Sequence, residues 1–136
     1  MMQAGVARRV INNKTGRPVQ GASVDNVADS IRDNCEANAL LLSNGAKSVL
    51  FVSRDVAGLE ADIVKPAREA MGKAAGILAR NVIIAGTHMH SGPSLIRTNY
   101  LKAIDREYIE RLHKWLVELA QESFRLSWFW LALARR

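Results

Sequence analysis

Two short apolar segments on either side of one amphipathic helix constrain this fold more than any other feature. Residues 48–53 and 82–85 are apolar runs of strand length. Between them, apolar residues recur at helical spacing from Ala61 or Lys65 to Ala75. A strand, a helix and a strand within about 35 residues predict a right-handed βαβ unit with parallel strands. Ligand sites in such sheets lie beyond the carboxyl ends of the strands.

A β-hairpin is predicted just before this unit. Residues 36–43 read as a strand, and Asn44-Gly45 separates them from the apolar run at 48–53. Asn-Gly between apolar runs is a strong signal for a tight turn in which both residues adopt positive φ. The run at 48–53 shows no polar alternation, so we expect this strand to be buried on both faces in the middle of the sheet.

The remaining segments complete an α/β fold with a mixed sheet and with helices packed on it. Residues 5–11 predict a first strand, whereas residues 19–34 predict a loop with at most one short helix. Pro66 is expected near the start of the first helix, and Asp105 is expected to cap a second helix that ends near Glu122. We assign residues 1–122 to an incomplete domain and residues 123–136 to an aromatic, basic tail.

Composition narrows the class of protein. The chain has 136 residues, of which 49% are hydrophobic and 24% charged, as expected for one globular domain. The net charge is +6, but the basic residues are scattered and form no run, so we expect no binding to nucleic acid. The single cysteine, Cys35, excludes an internal disulfide and is expected to be an inert thiol. We see neither a signal peptide nor a transmembrane segment, and the localisation stays unknown.

Two histidines follow the strand at 82–85. His88 and His90 are one residue apart, and their side chains would share a face if the backbone there were extended. An imidazole in such a place serves as a metal ligand, a general base or a donor to a developing oxyanion. The alternative is a pair of loop histidines hydrogen-bonded to backbone. A catalytic zinc usually has three protein ligands, so the pair alone would be part of a site.

Other candidate residues are weaker. Asp55 follows the preceding strand and is a candidate carboxylate that orients an imidazole by a hydrogen bond to its ring; the alternative is a solvated acid or a salt bridge to Arg54 or Arg97. His113 is expected on the surface of the second helix. Trp128 and Trp130 in the tail suggest contact with a membrane surface.

The histidine loop also carries a family resemblance. Residues 86–93, Gly-Thr-His-Met-His-Ser-Gly-Pro, resemble the Gly-Thr-His-Thr-His-Ser-Gly-Pro signature of the neutral/alkaline (non-lysosomal) ceramidases, with Met89 in place of the usual Thr. Similarity extends over residues 4–8, 39–45, 49–59 and 101–121. The chain thus resembles the N-terminal part of that catalytic domain.

The resemblance implies a zinc-dependent amidohydrolase of sphingolipid metabolism. Family members cleave the N-acyl amide of ceramide to sphingosine and a fatty acid, so a ceramide-like lipid amide is the implied substrate and Zn²⁺ the implied cofactor. His88 matches a zinc ligand, and His90 matches a residue that contacts the substrate near the metal. Members are often secreted or membrane-associated.

This chain departs from the family in its length. The other zinc ligands of the family (a His, a Glu and a Tyr) and its catalytic Ser lie beyond the matching region. We therefore expect an N-terminal portion of the enzyme, truncated and inactive as an isolated chain. The alternative is a non-enzymatic α/β module that binds an anion or a metal through the His88/His90 loop. A third expectation is an unstable fragment that self-associates.

Overall fold

The protein is described here by a computed structural model that covers residues 2–21, 26–96, 105–125 and 129–130. The elements, in chain order, are β1 (Gln3–Val10), β2 (Val19–Gly21), β3 (Glu36–Ser43), β4 (Ser48–Arg54), α1 (Ala61–Ala75), one 3₁₀ turn (Ala79–Asn81), β5 (Val82–Gly86), β6 (Ser91–Pro93), α2 (Arg106–Arg125) and β7 (Phe129–Trp130). The main sheet has the order β5-β4-β3-β1-β7, and β2 pairs with β6 in a second, two-stranded sheet. The fold is therefore mixed α/β.

The predicted strand–helix–strand unit is present. β4 pairs with β5 in parallel, and α1 connects them. Gly76 ends α1 with φ of 67°, a left-handed conformation that glycine adopts without strain. The helix begins at Ala61, the earlier of the two starts considered, so Pro66 lies in its second turn and not close to its start as expected. Ala61–Ala75 keeps a continuous apolar face across this proline, which offsets the one missing helical hydrogen bond.

The hairpin between β3 and β4 is confirmed, but its turn is not of the expected kind. Residues 44–47 form the loop, and only Gly45 has positive φ, at 87°. The side-chain oxygen of Asn44 accepts hydrogen bonds from the backbone N–H groups of Ala46 and Lys47, at 3.0 and 2.7 Å. Asparagine therefore contributes here through its side chain, as in an Asx-turn, and not through a positive φ.

Both helices pack on one face of the main sheet. Leu41, Leu50 and Val82 are neighbours across β3, β4 and β5, and all three are buried against residues of α1 and α2. Asp105 caps α2 as predicted, because its Oδ1 accepts a hydrogen bond of 3.0 Å from the N–H of Tyr108. The helix continues to Arg125, beyond the expected end.

The opposite face of the sheet is open. Val6, Leu40, Phe51 and Ile83 pair in register across β1, β3, β4 and β5, and each is exposed; Phe51 is 41% exposed. The expectation that β4 is buried on both faces was therefore wrong. β4 does lie between two strands, but the helices cover only one side of it.

The segment between β1 and β3 contains strand pairing where a helix was considered. Pro18 bridges to Val27, and no helix occurs in residues 26–34 of the described chain. Trp128 and the side chain of Trp130 lie outside the described residues, so the membrane-contact expectation stays a prediction. Within the described residues, no helix combines the length and the apolar character needed to cross a membrane.

Candidate metal site at the histidine loop

The site lies beyond the carboxyl ends of β4 and β5, where the loops leaving the two strands join. The N–H of Thr87 donates to the carbonyl of Arg54 at 2.9 Å, and the N–H of His88 donates to the carbonyl of Val56 at 3.1 Å. The parallel pairing of the strands thus continues as loop-to-loop hydrogen bonds. As a result the histidine loop is fixed to the end of the sheet.

His88 has a left-handed backbone, with φ of 65°; within the described chain no other non-glycine residue has positive φ. Such a conformation is unfavourable for histidine and persists only where surrounding contacts enforce it. The Val56 hydrogen bond supplies one contact. A second joins His88 Nδ1 to the carbonyl of Ala57 at 2.6 Å.

The Ala57 contact determines which nitrogen of His88 is free. A carbonyl oxygen only accepts, so Nδ1 carries a proton, and in the neutral imidazole the lone pair is therefore on Nε2. Metal-binding histidines almost always donate their other ring N–H to a carbonyl or carboxylate in this way. His88 therefore has the tautomer and the support of a metal ligand.

His90 brings a second nitrogen to the same point. Its Nε2 lies 3.1 Å from Nε2 of His88, and the two rings meet edge to face at 69°. Two nitrogens bound to one tetrahedral zinc at about 2.0–2.1 Å would be ~3.3 Å apart. The contact is a hydrogen bond, in which the Nε2–H of His90 donates to Nε2 of His88, and its length is also close to the separation of two nitrogens on one ion. The backbone is not extended here, so the condition under which the two side chains would share a strand face is not met; the left-handed conformation of His88 brings the rings together instead.

Two glycines allow the backbones around this loop to approach closely. A Cβ atom at Gly21 would lie 1.8 Å from the carbonyl oxygen of His90. A Cβ atom at Gly92 would lie 3.0 Å from the carbonyl oxygen of Asp55. Gly21 belongs to β2, which pairs with β6. Its part in the site was missed in the sequence, because only the pairing of these two short strands reveals the approach.

Asp55 supports the loop through the residue before His88. Its Oδ1 accepts a hydrogen bond from the Thr87 hydroxyl at 3.1 Å, and its Oδ2 accepts one from the N–H of Glu36 at 2.9 Å. The carbonyl of Ala57, and not the carboxylate of Asp55, accepts the hydrogen bond from the His88 ring. Asp55 thus lies beside the site and holds the side chain of Thr87 by a hydrogen bond.

The other titratable candidates are placed elsewhere. His113 is half-buried, not on the surface, and its Nε2 lies 3.1 Å from the carbonyl of Ile63, which ties α2 to α1. Burial raises the pKa of the half-buried Cys35 thiol, and the nearby negative charge of Asp55 raises it further. A raised pKa keeps the thiol protonated, as expected for an inert cysteine. Among the described residues, no group of three His, Cys, Asp or Glu side chains is arranged to hold a metal ion.

Arg54 is a residue whose importance the sequence did not reveal. It is the last residue of β4 and is fully buried, yet no atom of its guanidinium group has a hydrogen-bond partner within the described chain. Burial lowers the pKa of Arg54 to about 10. The salt bridge to Asp55 considered above does not form, and Arg97, the other partner considered for Asp55, lies outside the described residues.

Comparisons with known proteins agree with the resemblance at the level of fold. No protein-family model and no curated protein matches the chain. The crystal structure of neutral ceramidase from Pseudomonas aeruginosa matches with a TM-score of 0.66 and 20% identity, over 93% of this chain and 21% of that chain. A ceramidase complexed with C2 matches with a TM-score of 0.64 and 18% identity, with the same coverage. This chain therefore has the fold of one segment of neutral ceramidase, a segment of about a fifth of that protein's length.

Proposed function

We propose that this chain is the N-terminal portion of a ceramidase-like zinc amidohydrolase and carries part of its metal site. The observation that supports this most directly is the pair of Nε2 atoms 3.1 Å apart at the carboxyl ends of parallel strands. The fold similarity to neutral ceramidase supports it independently, since it concerns the whole chain and not the motif.

In this proposal His88 is a zinc ligand through Nε2. Ala57 holds the ring by its Nδ1–H, and Val56 holds the backbone, so only the hydrogen bond from His90 must be displaced before an ion binds. Bound zinc would supply Lewis-acid polarisation of the scissile carbonyl. Among the described residues no group of three possible ligands surrounds His88, so the other ligands would come from outside this set.

His90 is proposed to contact the substrate next to the metal. It is exposed, and its Nε2 points toward Nε2 of His88. From that position an imidazole N–H donates a hydrogen bond to an amide carbonyl or to the oxyanion formed from it. The implied substrate is a ceramide-like lipid amide, consistent with the C2-bound ceramidase among the similar structures.

The test is a zinc titration of the purified chain by calorimetry. We expect one zinc per chain, bound far more weakly than in a four-ligand structural site, where binding contributes about 10–16 kcal/mol. His88→Ala should abolish binding, and His113→Ala should leave it unchanged, because His113 contacts α1 and not the loop. Equal binding by wild type and His88→Ala would contradict the proposal.

The same chain should hydrolyse a short-chain ceramide too slowly to detect, even with zinc, because two imidazoles do not complete a catalytic site. Zinc-dependent hydrolysis that is lost in His88→Ala would overturn the claim of inactivity while supporting the assigned ligand.

A second candidate function is a non-enzymatic α/β module that binds a metal or an anion through the His88/His90 loop. The lack of a third ligand within the described residues favours it. Tight zinc binding with no hydrolysis, even when the chain is combined with the rest of a ceramidase catalytic domain, would support this alternative. Restored hydrolysis in that mixture would support the first proposal.

A further inference from the structure

A cavity of about 580 Å³ lies at the end of the main sheet opposite the histidine loop. The loop that leads into β4 forms one wall with residues 45–48, and the connection from α1 to β5 forms the other with residues 76–78, Arg80 and Asn81. Because β4 and β5 are parallel and both begin here, the seven residues of β4 separate the cavity from the candidate metal site by about 20 Å. The volume is within the range of small-molecule sites, roughly 300–1,000 Å³.

Each wall of this cavity contributes one cation, and no Asp or Glu is among the lining residues. Lys47 lies on the first wall and Arg80 on the second. Both are exposed, and neither side chain has an ion-pair or hydrogen-bond partner within the part of the chain that the structure describes. By contrast, Arg9, Arg17 and Arg111 each pair with a glutamate. An anion between the two walls would therefore be attracted by two unpaired positive charges.

The C-terminal end of α1 lies at the same cavity and carries partial negative charge. Its last carbonyl groups are capped, because the N–H groups of Gly76 and Ile77 donate to the carbonyls of Lys73 and Gly72, at 3.4 and 2.9 Å. Lys73 also places a positive charge in the last turn. The end of α1 thus opposes an anion less than an uncapped helix end would.

Both walls of the cavity are held in place by hydrogen bonds. On the first wall, the side-chain oxygen of Asn44 accepts from the N–H groups of Ala46 and Lys47. On the second, Nε of Arg68 donates to the carbonyl of Ala79 at 3.2 Å and brings a third positive charge to this wall. Since the walls are already ordered, a ligand would bind with little loss of conformational entropy in the protein.

We propose that this cavity binds the phosphate group of a small phosphate monoester, a function separate from that of the histidine loop. A phosphate group carries nearly two negative charges at neutral pH, which matches the two cations, and the guanidinium fork of Arg80 fits two of its oxygens. The side-chain amide of Asn81, which has no partner within the described residues, supplies a further donor. Ile77 and Leu78 line the cavity, and Leu78 is 54% exposed, so apolar surface is available for the carbon part of the ester.

The test is a titration of the metal-free full chain with phenyl phosphate, followed by the backbone amide NMR signals. Metal-free protein is used so that phosphate cannot bind through zinc. We expect saturable shifts at residues 45–48 and 76–81 and none at residues 86–93. Inorganic phosphate should bind at the same residues but several-fold more weakly, because it has no apolar group to bury. Phenol, which lacks the phosphate, should cause no shift.

Variants show whether the two cations cause the binding. Lys47→Ala and Arg80→Ala should each lower the affinity for phenyl phosphate about ten-fold or more, because each removes a charge-assisted contact. Lys65→Ala, at an exposed position of α1 outside the cavity, is the matched control; it removes the same charge from a chain of net charge +6 and should keep the affinity. Equal losses in all three variants, or shifts that do not saturate, would overturn the inference.

A phospholipid headgroup offers the same phosphate chemistry, and co-sedimentation with vesicles of phosphatidylcholine and phosphatidic acid distinguishes it from a soluble ester. The double variant Lys47→Ala/Arg80→Ala is compared with Lys65→Ala/Lys114→Ala, which has the same net charge and changes only exposed residues outside the cavity. We expect the two double variants to sediment with the vesicles to the same extent. A greater loss in Lys47→Ala/Arg80→Ala would assign the site to a lipid headgroup and overturn the soluble ester.

Discussion

At the scale of single residues, the site depends on the unusual backbone conformation of one common residue type, the histidine at position 88. His88 is held in a left-handed conformation by the carbonyl groups of Val56 and Ala57, which belong to the loop after β4. No pattern in residues 86–93 indicates these partners, because they lie about 30 residues earlier in the chain. The histidines were found from the sequence; their tautomer and spacing were not.

Gly21 is the residue most sensitive to a small change. In Gly21→Ala, the new methyl group would overlap the His90 carbonyl oxygen, and backbone atoms do not yield as a flexible side chain does. We expect zinc affinity to fall at least ten-fold, with a loss of stability of about 1–3 kcal/mol. Gly16→Ala is the control for a loss of stability away from the loop: nothing lies within 4 Å of its added Cβ, but its φ of 77° strains an alanine, so it should lose stability and keep zinc affinity. Unchanged zinc affinity in Gly21→Ala would contradict this role.

Arg54 should destabilise the fold, because its charge is buried without a partner in the described chain. Arg54→Met keeps much of the side-chain volume and removes the charge, so we expect the free energy of unfolding to rise by about 1–4 kcal/mol. Urea denaturation measures it, with Arg54→Lys as the control that keeps a charge. A loss of stability in Arg54→Met would show that the guanidinium has an anionic partner.

The difference in the free energy of unfolding between Arg54→Met and the wild type should depend on pH, and the direction of this dependence follows from the pKa of Arg54. Folding lowers the pKa of Arg54 to about 10, so the unfolded chain holds the proton more tightly. The destabilisation is fully present below about pH 10 and is relieved as the pH rises through about 10 toward the ordinary pKa of arginine. The stability gap between Arg54→Met and wild type should therefore shrink in that range. Burial of Tyr108 raises its pKa and has the opposite effect. Because Arg54 and Tyr108 interact electrostatically, this effect differs between the two proteins, and the comparison is made in a Tyr108→Phe background.

At the scale of elements, the cap of α2 joins local sequence to tertiary contacts. Asp105 accepts from Tyr108 N–H at 3.0 Å and from Asn13 at 3.0 Å. Burial alone would raise the pKa of Asp105, but these hydrogen bonds, together with Arg17 and Arg111, lower it below its ordinary value. The cap was predicted from sequence; its contact with the loop after β1 needed the structure.

Asp105→Ala should destabilise the protein by about 1 kcal/mol, as expected for loss of a helix cap. Asp105→Asn keeps a capping oxygen and should lose less. Because the folded pKa is lowered, the contribution of the charge is present above the ordinary pKa of 3.8 and is lost as the pH falls through the folded value. Thermal unfolding at neutral and acidic pH checks this, with Glu110→Gln on the exposed face of α2 as the control. A pH-independent gap between Asp105→Asn and wild type would contradict it.

At the scale of the whole molecule, the sheet is covered by helices on one face only. Val6, Leu40, Phe51 and Ile83 form a continuous exposed apolar row across four strands. Contiguous apolar patches of this kind promote association. Phe51→Thr keeps strand propensity and should shift sedimentation toward the monomer. Leu78→Thr, at an isolated exposed leucine, is the control and should have no effect. The same distribution of monomers and oligomers in the wild type and in Phe51→Thr would contradict association through this face of the sheet.

Most of the elements could be predicted because their signals are local. The apolar stripe of α1, the Gly76 stop and the β3–β4 hairpin each depend on neighbouring residues. β2 and β6 were not foreseen, since each has three residues and exists only by pairing with the other across about 70 positions of sequence. One face of β4 was wrongly predicted to be buried, because an apolar run in the sequence does not show whether helices cover one face of the strand or both.

The sequence by itself determined the class of fold, the order of the major elements and the two histidines as the candidate site, because periodicity and short motifs are properties of neighbouring residues. Only the tertiary structure decided that the imidazoles meet at 3.1 Å, that Ala57 orients His88, that Gly21 must lack a side chain and that Arg54 is buried. These depend on contacts between segments far apart in the chain, and such contacts form only when the sheet brings its loops to a common edge.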